Sequence, residues 1–524
     1  MTRSGPSRRE VLAGILGLAG AGFAAGCSGA GEPPAGAGST LFYAIDAQPA
    51  AGGVDPFRAS NLPSRRVLSL VYDSLLSRGP DGRVAPGLAT SFTHRDFTEF
   101  TFRIRPGVRF ADGTPLTGDD VAYTLRAVAG GTSEAKLYLG DVESIRATAT
   151  TVTVALGSPN PALLNFLADP KACFVVNARA YDAATDEQRQ RTSFGTAAFT
   201  LGTWSDGNYL HLDRNPRYWE TGRPRIDRIA MQVVPDETTR LSLVQQQTVD
   251  MAWFADAQLA VQAEALSYRR ADPVPTQGIN VYVNPTSGPL ADRRVRQAVS
   301  CALDRRQLID VAMQGDGALS FASAPGTPGV ADPSVDTPFH RRDVERARQL
   351  LAASAHPSPS VALSYFSDSV TNQQPVYALM QQQLADAGID LVLRPTPLAA
   401  MSPVFTSGAP FTDLAAVPWS YRSDPAFYFT SFLAESGALN HWAGNPDAER
   451  ARRLLATAMT TTDETARSAL FDQLNREVAE NVLIIVPMCV PERVEVWRPD
   501  VVGGYVPDPL VTRRNLKEAT VARG

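Results

Sequence analysis

At 524 residues the chain is too long for one core and long enough for two or three domains. Its 44% hydrophobic and 20% charged residues make an ordinary soluble globular composition, and a net charge of −5 argues against a large nucleic-acid surface. Only Lys136, Lys171 and Lys517 are lysine, an arginine skew that reads as genome composition and not as phosphate recognition.

Arg3, Arg8 and Arg9 precede the uncharged run 11–26, which ends at Cys27. A basic n-region, a short apolar stretch and small residues before the cut are the marks of a secretory signal. The run is too short and glycine-rich for a comfortable membrane span. Ser7-Arg8-Arg9-Glu10-Val11-Leu12 resembles a twin-arginine export signal, and Ala24-Ala25-Gly26-Cys27 resembles a lipobox in which Ala24 replaces the usual leucine. Residues 1–27 are therefore expected to be removed as a signal peptide, with Cys27 lipidated. Residues 28–39, rich in Gly, Pro, Ala and Ser, form a tether. Three cysteines remain, Cys173, Cys301 and Cys489, so at most one disulfide forms; buried apolar thiols are expected.

Residues 41–45 read as a strand, and 61–76 as a helix. Phe100, Phe102 and Ile104 alternate with polar residues as a half-buried strand does. Pro106-Gly107 and Asp112-Gly113 flank 108–110, which predicts a hairpin. Thr117 to Asp120 offers a capping-box start to a helix whose buried stripe is Val121, Leu125 and Val128. Val152, Val154 and Leu156 predict another strand, and 199–234 is strand-like with breaks. From about residue 290 the texture turns helical: Val295, Ala298, Val299, Ala302 and Leu303 keep helical spacing. Helices over 376–387, 448–459 and 465–479 alternate with strands over 389–393 and 482–488. The fold class is α/β, in more than one lobe.

Several of these stretches resemble family 5 of the bacterial solute-binding proteins, the oligopeptide- and dipeptide-binding components of ABC importers. They are VAPGLATSF (84–92), FTFRIRPGVRFADGTPLTGDDVAYTLRAV (100–128), NPRYW (215–219), PLADRRVRQAVSCALDRRQLI (289–309) and VGGYVPDPL (502–510). Most of these residues are scaffold, because a fold signature records packing. The resemblance implies a two-lobed periplasmic-binding-protein-like fold in three segments. A discontinuous domain I spans 40–57, 191–275 and 485–524; domain II, 58–190, is inserted in it; domain III spans 276–484. Ligand lies between lobes, and the loaded monomer delivers it to a permease and its ATPase subunits, held at the membrane by the lipid anchor.

Family peptide binders seat the ligand's amine on an aspartate of the third domain, shortly after a tryptophan. VPWSYRSDPAFYF (417–429) matches that loop, with Trp419 at the tryptophan and Arg422, or Tyr421 in a shorter loop, in the aspartate's place. Pro418 replaces a glycine and has no N–H to donate. If Arg422 faces the cleft, an anionic ligand or another register is expected, since a buried guanidinium repels an ammonium. Asp424 could still serve an amine after rearrangement. Asn61 and Leu62 match a ligand-backbone segment of the first lobe. Trp253 and Phe254 match a cleft position, and Asn280 and Tyr282 lie on a strand bordering the site. No cofactor or metal is expected: five scattered histidines give no ligand spacing. Neither G-x-S-x-G nor H-E-x-x-H occurs, so no enzyme constellation stands out. The alternatives are a non-peptide cargo (an opine-like acid, an oligosaccharide or a metal chelate) on the same fold, and an envelope regulator outside transport. Labelling cells with an alkyne palmitate should mark the wild-type protein and spare Cys27→Ala; equal labelling of both would contradict anchoring at Cys27.

Overall fold

A computed structural model describes residues 39–523, with breaks at 50–51, 60–61, 80–82, 132–134, 170–172, 273–274, 313–314, 316, 320–336, 368–372, 398–399, 402, 405–407, 421–423, 436, 438, 492–493 and 508–513. Cys27 with its signal and tether, Asn61, Tyr421 and Arg422 lie outside the described residues. Among the described residues no helix is long and apolar enough to cross a membrane.

Thr40–Ile45 runs inside a seven-stranded sheet, parallel to Arg228–Val233 on one side and Met251–Phe254 on the other. Antiparallel strands Tyr209–Arg214 and Phe199–Ser205 extend one flank; Val494–Trp497 and Arg269–Arg270 extend the other. Both faces are covered, as a sheet with parallel central pairs requires. Tyr43, Met251 and Trp253 pack into one apolar cluster, while Ala44, Ala252 and Phe254 pack into another across the sheet.

A second sheet holds six strands in the order Ala318–Leu319, Ile484–Pro491, Pro275–Val283, Leu414–Ser420, Ser360–Phe366 and Asp390–Thr396. A third holds Ala89–Arg95, Glu99–Ile104, Thr151–Leu156 and Val142–Ala147, all antiparallel. Phe100, Phe102 and Ile104 are buried, as their alternation predicts. The helix Gly118–Gly130 packs Val121, Leu125 and Val128 inward. Its start is closed by the Thr117 N–H, which donates to Asp120 Oδ2 at 2.9 Å. One continuous apolar cluster runs from Phe102 and Phe166 through Tyr138 and Phe427 to Ile279 and Leu363, so the second and third sheets share a core.

Between the first two sheets the chain crosses twice. It passes from Arg269–Arg270 to Pro275–Val283, and returns from Ile484–Pro491 to Val494–Trp497. The departing strand of the first crossing pairs antiparallel with the arriving strand of the second in the seven-stranded sheet, and the other two strands pair antiparallel in the six-stranded sheet.

Three expectations need correcting, and a fourth is met in short form. The first helix ends at Val71, and Leu76–Arg78 is instead a strand paired with Val84–Pro86. Between them the Asp73 carboxylate accepts from Thr196 Oγ1 and Trp219 Nε1, contacts that override helix periodicity. The hairpin expected around 108–110 is present and short: Arg109 bridges Pro115, the Phe110 N–H donates to the Thr114 carbonyl at 2.9 Å and the Leu116 N–H to the Val108 carbonyl at 3.0 Å. A division at 485 would cut Ile484–Pro491, which pairs within the six-stranded sheet. Finally, Ala426–Leu433 is a fully buried helix and not loop. Pro425 precedes it and the Ala426 N–H donates to Asp424 Oδ1 at 3.0 Å, which starts the helix where sequence alone showed a loop. Cys173 and Cys301 are buried free thiols, as expected.

Phe429 is wholly buried and stacks on Phe471 with ring centroids 6.0 Å apart. Phe429→Ala should cost about 3–5 kcal/mol in urea unfolding; a loss below about 1 kcal/mol would contradict this packing.

Candidate ligand-binding site

Trp419 lies in the strand Leu414–Ser420, which pairs antiparallel with Pro275–Val283. Gln277 pairs with Ser420 and Gly278 with Trp419, the last rungs before residues 421–423. Across the crossings, Trp253 pairs with Glu495 and Phe254 with Val494, the end of the seven-stranded sheet. Leu62 opens the helix Leu62–Val71.

Trp253 and Phe254 cannot both line one wall, because neighbours in a strand face opposite ways. Phe254 packs among Ala44, Leu241 and Val244, in core away from Trp253. Trp253 lies under the Arg66 guanidinium, 3.3 Å from ring centroid to Cζ. Arg66 also stands 4.0 Å from Asp46. Next to Trp253, Glu495 accepts from Tyr43 OH at 2.7 Å and Tyr505 OH at 2.6 Å. This buried cluster holds charges together on one face, where a lone charge would cost several kcal/mol.

Asn280 is 1% exposed, and neither atom of its amide has a hydrogen-bond partner among the described residues. It stands opposite Val417, where the pairing with Ile484–Pro491 slips between Ile279 and Val281. An unpaired buried amide costs roughly 1–3 kcal/mol per group, a cost that a bound partner would recover. Tyr282, two residues on, packs edge-to-face on Phe432 at 6.1 Å and belongs to the core.

The acceptor positions of Asp424 are filled by groups of the chain itself. Its Oδ1 accepts from the Ala426 N–H and from Arg467 Nη2 at 2.9 Å. Its Oδ2 accepts from Arg467 Nη1 at 3.1 Å and Asn165 Nδ2 at 2.8 Å. Four donors saturate a carboxylate. Asn165 is oriented in turn by Arg78, whose Nη2 donates to its Oδ1 at 3.1 Å. Beside them Tyr138 OH donates to the Phe427 carbonyl at 3.2 Å, with rings 4.4 Å apart. The segment holding Asn165 and Tyr138 is thereby locked onto Asp424 and the start of the helix Ala426–Leu433. Sequence reasoning missed Asn165, Tyr138, Arg467, Arg66 and Glu495. Each is a single residue in an ordinary element, with no spacing to mark it.

The model of the bacterial extracellular solute-binding proteins, family 5 Middle, matches residues 83–441. The chain belongs to that family. Family 5 proteins are the solute-binding components of ABC importers; they are not enzymes, and they carry small ligands or peptides to a permease. The glutathione-binding protein GsiB of Escherichia coli K12 is 26% identical over 365 residues, 67% of this chain and 69% of that protein. The structure of AgaA from A. tumefaciens R10 in complex with agropinic acid superposes with TM-score 0.79 at 22% identity, covering 93% of this chain and 99% of that one. The oligopeptide-binding protein AppA of Bacillus subtilis, in complex with a nonapeptide, gives TM-score 0.78 at 19% identity, covering 93% and 99%. These solved structures share the two-lobed α/β fold of family 5.

Burial alone would raise the Asp424 carboxyl; Arg467 and the hydrogen bonds outweigh it and hold the group below its ordinary range. A carboxylate so held adds stability above its unfolded value of about 3.9 and loses it as the pH falls through the lower folded value. Arg467→Ala should cost about 3–5 kcal/mol at neutral pH, because it strands a buried charge. Acidification from neutral pH to about 3 should destabilise the wild type more than Asp424→Asn in urea unfolding; equal losses would contradict the assignment.

Proposed function

We propose that this family 5 protein is an exported lipoprotein that captures an anionic, peptide-like solute by hinge closure and hands it to an ABC permease. The observation that carries the cargo class is the saturation of Asp424 by Arg467, Asn165 and the Ala426 N–H. The one acidic side chain near Trp419 is spent on structure, and Arg422 stands two residues before it. A ligand ammonium finds no open carboxylate there, while a ligand carboxylate has a guanidinium within the same loop. GsiB binds glutathione, itself an acidic peptide, and AgaA is complexed with an opine acid, so relatives of both kinds support the reading.

The lobes divide at the two crossings. The first holds the seven-stranded sheet, from 40–57, 191–275 and the segment after Pro491; the second holds the six-stranded sheet, 276–491; residues 58–190 form the inserted domain. Trp253, Asn280 and Trp419 border the cleft in this division, with Leu62 at the start of the inserted domain. The two crossings form a hinge in which few residues need to change φ and ψ. Anchoring through Cys27 and the tether of residues 28–39 keeps the receptor near its permease.

Calorimetry on protein stripped of bound solute by partial unfolding tests the cargo class, using glutathione, N-acetylglutathione and trialanine. Glutathione should bind, acetylation should cost less than about tenfold in Kd, and Arg422→Ala should cost more than about tenfold. Tight binding of trialanine that is indifferent to Arg422→Ala and needs a free amino terminus would overturn the reading.

A further inference from the structure

Away from the cleft, a cavity of about 170 Å³ opens between the end of the helix Leu62–Val71, the Tyr218–Glu220 turn and the segment 514–517. It lies on a seam between two apolar clusters. Leu76 and Leu88 line it from one, and Leu70, Phe174 and Phe199 from the other. A dry cavity of about 150 Å³ holds a benzene, so this one has room for about six heavy atoms.

Four of the five charged side chains on its wall are already engaged. The Lys517 ammonium donates to Glu220 Oε1 at 2.5 Å and to Tyr218 OH at 3.2 Å, and Glu220 Oε2 also accepts from Arg223 Nη1 at 3.1 Å. Arg78 Nη2 donates to Asn165 Oδ1 at 3.1 Å, and Arg514 likewise has a partner within the chain. Asp73 differs. Its Oδ2 accepts from two neutral donors, Thr196 Oγ1 at 2.9 Å and Trp219 Nε1 at 3.0 Å. Among the described residues no donor reaches its Oδ1 and no cation pairs with it. A carboxylate offers about four acceptor positions, and here one oxygen carries both bonds. Burial pushes the Asp73 carboxyl above its ordinary range, and Lys517, Trp219 and Thr196 only partly offset this. A cationic donor on Oδ1 would relieve that cost by a charge-assisted hydrogen bond.

We propose that this cavity is a second ligand site, taking a small primary ammonium compound with a short apolar tail. The ammonium donates to Asp73 Oδ1, and Leu76, Leu88 and Phe174 cover the methylenes, a few polar contacts on an apolar wall being the usual make-up of a small-molecule site. The engaged state of the surrounding cations matters here: Lys517 is neutralised by Glu220, so the open charge on the wall is negative. The site shares none of the residues assigned to the interlobe cleft, so it holds whether or not the cleft takes an anionic peptide.

Fluorine NMR of the mature protein labelled with fluorotryptophan tests it. The Trp219 resonance, identified by its absence in Trp219→Phe, reports on the carboxylate that its Nε1 contacts. Butylamine is the probe, with butanol, butyrate and KCl as the neutral, acidic and bare-cation controls. Butylamine should shift the resonance to saturation and bind more than about tenfold tighter than butanol or butyrate. Asp73→Asn should weaken butylamine by about tenfold or more and leave butanol within about twofold. Ser74→Leu, which adds bulk to the cavity wall, should abolish the shift. The ranking of the probes is read on the wild type and does not depend on either variant folding. Three results would overturn the proposal. They are no shift below about 50 mM butylamine (a cavity holding water only), equal binding of butanol, or the same shift produced by KCl at equal concentration.

Discussion

Asp424 is a single buried carboxylate whose four acceptor positions are filled from three parts of the chain. Its backbone neighbours start the helix Ala426–Leu433, Arg467 reaches it from a later helix, and Asn165 reaches it from the third sheet's side of the molecule. Leaving out any donor would strand negative charge in a place that water does not reach, at a cost of several kcal/mol. The helix Ala426–Leu433 therefore starts at a point held from two distant parts of the chain.

Around this point the molecule is divided unevenly. The second and third sheets are welded by one apolar cluster through Tyr138, Phe166 and Phe427. The seven-stranded sheet keeps its own two clusters and is joined to the six-stranded sheet by the two crossings. Connections between lobes bend at little cost, whereas packed cores shift between discrete arrangements. Motion is therefore expected at the crossings, with Trp253 and Arg66 on one side and Trp419 and Asn280 on the other. The buried Asn280 amide, without a hydrogen-bond partner among the described residues, is a local cost on the six-stranded sheet.

Much of the scaffold was legible in the sequence. Phe100, Phe102 and Ile104 announced their strand, Val295 to Ala302 their helix, and Thr117 with Asp120 the cap, because each rests on local periodicity or local hydrogen bonding. The stretch 417–429 was misread as one loop. Its aromatics are consecutive, so no amphipathic period distinguishes a wholly buried helix from a cluster of ligand contacts. Phe254 and Tyr282 were assigned to the cleft by position along the chain, and the faces they take depend on strand alternation and on Phe432. Asp424 shows the limit most plainly: its partners are 43 and 259 residues away, and only the folded chain brings them together.

Small-angle scattering on ligand-free protein, before and after adding back the solute that co-purifies with it, tests the central claim that the lobes close about the two crossings on a bound solute. The account predicts that the radius of gyration falls on saturation, and that it falls to the same closed value in repeated stripping and reloading. An unchanged radius of gyration while calorimetry records stoichiometric binding would contradict it.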